Sequence, residues 1–394
     1  MRVVNGFVVV LLLHLAVTGC ASWQPEYGAG DPELLALARS GSLVGGQVSA
    51  QALADRDPFA LTPEMKAFAN HFAPAEYHDK YKVTALVRAL TTQYGLNMTY
   101  SANETHSAAE AFRRREANCL SFTILLYALA NEAGLTVAFN EVDVPPVWDV
   151  QDTNKLIFYK HVNAIVDILW AESKIVDINM SNYNELYPQR RITKVHAEAL
   201  YYNNRAVEAL NAGQLADAQY YFQRTLDLNS DLGFVWGNLA TLYRRLERFD
   251  IAQALYLKAM DSGGFDSVIA SNLARNFRAL GNTVEADLLE ERVKRHRARN
   301  PYYHYAIAHL NYSKGRNDLA IQEIDRAIEL FTKEHRFHLL RAQLMAQVGD
   351  QREVIESLRL AESHAPNDED KGRYANKRDK VAAIMAYQAA HSTE

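Results

Sequence analysis

Residues 199–232 read "ALYYNNRAVEALNAGQLADAQYYFQRTLDLNSDL", and the same plan recurs without insertion in frames of 34 residues that begin at 233, 267, 301 and 335. The eighth position of the frames holds Ala206, Ala240, Ala274, Ala308 and Ala342. The twentieth holds Ala218, Ala252, Ala286, Ala320 and Val354. Four residues later stand Phe222, Tyr256, Glu290, Ile324 and Leu358, and the twenty-seventh position gives Thr225, Ala259, Val293, Ala327 and Ala361. Glycine occupies the fifteenth position in four frames (Gly213, Gly281, Gly315, Gly349), with Glu247 in the other. Small residues at fixed heights let two helices approach closely, and glycine supplies the turn between them. Each frame is therefore expected to be an antiparallel helix pair, and five in register a solenoid.

This pattern resembles the tetratricopeptide repeat over residues 199–368, in units 199–232, 233–266, 267–300, 301–334 and 335–368. The resemblance implies an all-α array whose first helices line a concave groove for peptides or proteins. In that frame the groove carries Arg244, Arg245, Arg275 and Arg278, then Tyr302, Tyr305 and Tyr312. Arginines beside tyrosines suit an acidic or carboxylate-ended partner, because guanidinium pairs bidentately with carboxylate. The competing reading is a solvated charged face. Residues 369–394, with "GRYANKRDKVAAIMAYQAA", are expected to form the capping helix that a solenoid end requires.

Upstream of the repeats the pattern is mixed. "TPEMKAFANHF", with Thr62 as N-cap and Pro63 in the first turn, "KYKVTALVRALTTQYG" and "SAAEAFRRREA" read as helices. "NCLSFTILLYALANEAG" is a longer apolar helix. "LTVAFNEVDV" then turns β-rich. "HVNAIVDI" alternates, with Val162, Ala164, Val166 and Ile168 on one face and His161, Asn163, Ile165 and Asp167 on the other; "KIVDI" repeats the strand character after a polar break at 169–173. An α+β domain over 62–190 follows, preceded by a linker or N-terminal extension at 20–61.

Cys119 stands at the start of the apolar helix, where exposed amides favour a thiolate. A thiol nucleophile needs an imidazole in reach and a carboxylate to orient it. His161 opens the alternating strand; Asp177 lies on the next, brought near if the second strand folds back, and Asp167 on His161's own face is the alternative orienter. A Cys opening a helix, a His at a strand start and an Asp ending the following strand resemble the transglutaminase-like superfamily of papain-type cysteine enzymes. That resemblance covers roughly residues 80–185 and implies Cys119 as nucleophile, His161 as general base and later acid, and Asp177 as the orienting group. Asn118 replaces the glycine that usually precedes the nucleophile helix, and Asn163 the aromatic residue two places after the histidine. Trp148 is a candidate wall of the cleft, or core packing. The oxyanion donors are expected to include the backbone N–H of Cys119.

The amino terminus speaks to location. Arg2 precedes an apolar run from Phe7 to Val17, too short to span a bilayer and suited to a signal peptide. The run ends in "AVTGC", which resembles the bacterial lipobox and implies a signal peptide at 1–19, lipidation at Cys20 and a membrane-tethered envelope protein. Ala21, rather than Asp, points to the outer membrane facing the periplasm. The net charge of −5 provides no field for nucleic acid. The 13 histidines show no paired ligand spacing and no phosphate-binding glycine loop is present, so neither metal nor cofactor is expected. Two functions remain: a Cys-His-Asp amide hydrolase or acyl transferase coupled to a protein-binding array, or a non-catalytic scaffold acting through the repeats.

Overall fold

The computed structural model describes residues 30–102, 104–142, 161–168, 173–178 and 187–391. The chain enters through helix α1 (Pro32–Ser40), which Asp31 caps through Glu33 N at 2.9 Å and which ends on Gly41 at φ 68°. Helix α2 (Ala50–Ala54) follows. Of the linker or N-terminal extension expected at 20–61, the described part thus carries two helices. Ala38 is fully buried, and its carbonyl accepts hydrogen bonds from Gln219 Nε2 at 3.0 Å and Tyr243 Oη at 2.9 Å, so α1 lies on the repeats. At Gly30 the backbone comes so close that a Cβ would sit 2.0 Å from the Ala254 carbonyl oxygen. Asp55, just past α2, accepts from the hydroxyls of Tyr201 and Tyr221 at distances of 2.8–3.1 Å. These polar partners on the repeats turn what reads as a spacer into a strap.

The expected helices then appear: α3 (Pro63–Phe72), capped by Thr62, α4 (Asp79–Thr91) and α5 (Ala108–Arg114). Strands β1 (Thr99–Tyr100) and β2 (Glu116–Ala117) pair in parallel beside them. Helix α6 (Cys119–Glu132) is apolar on nearly all sides, as a helix buried all round must be; Phe122, Ile124, Leu125 and Leu129 are fully enclosed. Against it lies a sheet of β3 (Thr136–Val142), β4 (His161–Asp167), β5 (Lys174–Val176) and β6 (Gln189–Ile192), ordered β5-β4-β3-β6 and antiparallel throughout. Tyr127 of α6 stacks on Phe139 at 4.7 Å, and Thr123 Oγ1 donates to the Val162 carbonyl at 3.2 Å, seating the helix on β4. Strand β6 carries the domain past residue 190; its "QRRI" has no alternation that sequence could have shown.

The repeats follow without a break: α7 (Lys194–Asn211) with α8 (Leu215–Leu228), α9 (Gly233–Arg245) with α10 (Phe249–Gly263), and α11 (Ser267–Ala279) with α12 (Thr283–Arg297). Then come α13 (Pro301–Ser313) with α14 (Asn317–Leu330), α15 (His335–Val348) with α16 (Gln351–Ser363), and the closing α17 (Asp368–His391). The helix pairs keep the expected frames, save that the first begins five residues early. Four of the column alanines are wholly buried and Ala342 nearly so. The apolar core is not continuous, however. One cluster runs through Val293, while the fourth and fifth repeats build their own around Ile324, Phe337 and Leu344. Glu290 explains the break: it occupies a column position that is apolar in the other frames and is exposed, bonded to Arg278.

The fifteenth-position residues all adopt left-handed backbone, and Glu247 does so at φ 57° like the glycines around it. A side chain there costs about 1–2 kcal/mol. Glu247→Gly is therefore expected to stabilise the repeats by about 1 kcal/mol, read as a higher denaturant midpoint at unchanged slope.

Candidate active site

The turn before α6 is built around Asn118. Its Oδ1 accepts from Ser121 N at 2.8 Å, and its Nδ2 donates to Thr105 Oγ1 at 2.9 Å. With extended backbone at φ −79° and ψ 177°, the position has no need of glycine, and an amide cap replaces it. Cys119 is thereby the first helical residue, a partly exposed free thiol. Helix geometry leaves the N–H groups of Cys119 and Leu120 without intrahelical partners, so they point as donors past the sulfur.

His161 opens β4 and is 7% exposed. The β4–β5 register pairs Ala164 with Val176, which sets Asp177 opposite Asn163 and makes it the diagonal neighbour of His161. His161 Nε2 and Asp177 Oδ2 form a short, buried hydrogen bond. One ligand-type atom each from Cys119, His161 and Asp177 lie within 4.8 Å of one another. With Nε2 committed to Asp177, Nδ1 is the nitrogen left to serve the sulfur. Asp167 takes no part in this: at the far end of β4 it accepts from Arg191 at 2.8 and 2.7 Å and from Ser173 at 2.7 Å. Asn163 is buried and accepts from Asn140 Nδ2 at 2.9 Å, a contact between neighbouring strands of the sheet.

Burial alone would push the His161 imidazole down. Hydrogen bonds to Asp177 and Cys119, with the charges of both, outweigh it and raise the group to about 10. The imidazolium form is thus favoured at neutral pH, next to a sulfur and a carboxylate. Since the unfolded value is about 6.5, the stability from this group is fully present below about pH 6.5 and is lost as pH rises through about 10. Melting of the wild type against His161→Gln should show the wild-type margin shrinking over that alkaline range.

Ligand spacing was not visible along the chain, yet the fold gathers two sets that could hold a metal: the Cys119, His161, Asp177 group and a second of Glu104, His106 and Glu116. In the first set His161 and Asp177 are already hydrogen-bonded to each other. Cys20, Pro145–Pro146, Trp148 and residues 169–172 lie outside the described residues.

The repeat positions named as partner-binding do not form one patch. Arg245 donates to the Leu210 carbonyl and to Asn211 Oδ1, joining neighbouring repeats. Arg278 is saturated by Glu290 at 2.7 and 3.0 Å and by Asp287 at 2.7 Å. Tyr302 donates to Glu334 at 3.0 Å, and Tyr305 packs on Phe337 at 5.0 Å. Sequence reasoning missed Glu334 and Arg336: Arg336 bonds Glu334 at 2.8 Å and donates to the hydroxyl of Tyr187, which precedes β6. The α+β domain thus sets its own tyrosine against the fourth and fifth repeats. Arg244 and Arg275 differ. Both are half-buried, and both act on the hydroxyl of Tyr256, which burial raises and their charges oppose. Arg244 Nε has no hydrogen-bond partner among the described residues. Burial, with Arg275 adding repulsion, also lowers Arg297, so positive charge is concentrated here.

No family model matches the chain, and no curated protein matches it. Solved structures do. YrrB, described as a TPR protein with an unusual peptide-binding site, is 16% identical over 45% of this chain and 92% of its own, with a TM-score of 0.25. MamA of strain AMB-1 is 19% identical over 42% of this chain and 90% of its own, with a TM-score of 0.23. PilF of Pseudomonas aeruginosa is 17% identical over 46% of this chain and 82% of its own, with a TM-score of 0.25. The likeness concerns fold alone. The carboxy-terminal half of this chain is an all-helical solenoid of antiparallel helix pairs that resembles the repeats of these proteins.

Proposed function

We propose that the chain is a thiol-dependent enzyme of amide bonds, transglutaminase-like in its amino-terminal domain, whose repeats bind the protein it acts on. The convergence of Cys119, His161 and Asp177 beside free helix amides carries this reading. Asp177 holds the imidazole, which takes the thiol proton through Nδ1. The thiolate attacks an amide carbonyl, the first-turn amides of α6 receive the oxyanion, and the imidazolium protonates the departing amine. The resulting thioester is released by water, giving hydrolysis, or by an amine, giving transfer.

The partner is read as acidic or carboxylate-ended, because Arg244 and Arg275 are partly buried cations to which no carboxylate among the described residues is bonded. Lipidation at Cys20 would hold the protein at the outer membrane, facing the periplasm. A second reading, a non-catalytic scaffold, is favoured by the solenoid likeness itself.

Incubating the full-length protein with a panel of peptide amides separates the two. The enzymatic reading expects an acyl adduct on Cys119, seen by mass spectrometry, that accumulates and then turns over. Absence of adduct and of amine release across the panel, with partner binding intact, leaves the scaffold.

A further inference from the structure

Beside the first turn of α6, the segment 104–106 meets β2. His106 is 1% exposed, yet among the described residues neither ring nitrogen has a hydrogen-bond partner. Nε2 stands 3.6 Å from Glu104 Oε2 and 3.7 Å from Glu116 Oε1, while Nδ1 stands 3.6 Å from Glu110 Oε2. Those separations are too long for hydrogen bonds. They suit something else: a tetrahedral ion with bonds of about 2.0–2.1 Å keeps its ligand atoms about 3.4 Å apart.

We propose that Glu104, His106 and Glu116 form a binding site for one divalent transition-metal ion, with zinc the best fit. One imidazole and two carboxylates are borderline-to-hard donors of the kind zinc accepts, and the partly exposed Glu104 leaves the fourth position to water. Glu110 at Nδ1 plays the supporting part that a carboxylate usually plays behind a ligating histidine. Charge agrees. Three carboxylates face Arg114, whose Nη1 is 3.6 Å from both Glu104 and Glu116 and whose Nε is 3.0 Å from Glu110. Their excess of two negative charges is what one dication with a neutral imidazole cancels. Arg113, 3.6 Å from Glu110, is largely in solvent, where its charge is screened.

The ion would brace the nucleophile turn. His106 N donates to Ser121 Oγ at 2.7 Å, Thr105 receives the Asn118 side chain, and Glu116 is three residues before Cys119. Metal at this point ties both strands of chain to the start of α6, whether or not the thiol is catalytic.

The test uses the full chain carrying Cys119→Ala, so that the triad sulfur cannot hold the probe, stripped with chelator and titrated with Zn²⁺. Equilibrium dialysis with elemental analysis should find one zinc per chain at micromolar affinity or tighter, with a rise in melting temperature. The double variant Glu104→Gln/Glu116→Gln, checked for folding by circular dichroism, should bind at least about 100-fold more weakly and lose that rise. No stoichiometric uptake at about 100 µM Zn²⁺, or unchanged affinity in the folded double variant, overturns the site and leaves a solvated ion-pair cluster.

Discussion

Cys119→Ala is expected to lower the rate of amide turnover by about 10⁴-fold or more while leaving the melting temperature almost unmoved. Loss of a nucleophile in a Cys-His-Asp set removes the covalent route altogether, and what remains is the smaller acceleration from bound substrate and oxyanion donors. The thiol is partly exposed, so its removal leaves little cavity, and the Asn118 cap that starts α6 does not involve it. Steady-state hydrolysis or transfer with the best peptide amide, alongside a thermal melt, reads both quantities. A fall in rate accompanied by unfolding would speak for a packing role instead.

Asp177→Asn is the second large effect, about 10³- to 10⁴-fold in kcat. The amide is nearly the same size, but it removes the charge and can offer an N–H to Nε2, which holds the imidazole in the wrong tautomer. The change has a second signature. Asp177 is one of the two groups that raise His161 against its burial, so in the variant the imidazole titrates at lower pH. Any residual rate should lose its imidazolium-dependent limb at a lower pH than the wild type does. A structural role for Asp177 would lower the rate without moving the profile.

The repeats were legible because their signal is periodic. Five alanines at a single height leave no other register; Glu247, the exception in the glycine column, nonetheless shares the left-handed backbone of the glycines. The chemistry of the site was legible in its ordering of Cys, His and Asp on helix and strands. Its closure was not, because the β4–β5 register that makes Asp177 a diagonal neighbour of His161 is not specified by the polar sequence that lies between the two strands. Strand β6 lacks alternation of its own, whereas α1 carries ordinary start and stop signals in Asp31, Pro32 and Gly41, and only its docking on the repeats depends on partners far along the chain. Contact between Tyr187 and Arg336, 149 residues apart, is of the same kind. The His106 cluster was hidden for a related reason: its carboxylates come from a loop, a helix and a strand, and no spacing rule joins them.

The account depends most on an imidazole that acts on the Cys119 sulfur. The rate at which iodoacetamide alkylates Cys119 at pH 6.5, followed by mass spectrometry in the wild type and in His161→Ala, measures this without knowledge of any substrate. At least a tenfold slower reaction in the variant, with both proteins folded, is the predicted result, since an ordinary thiol is scarcely ionised at that pH. Equal rates in the two proteins would contradict the triad and leave the chain a binding protein.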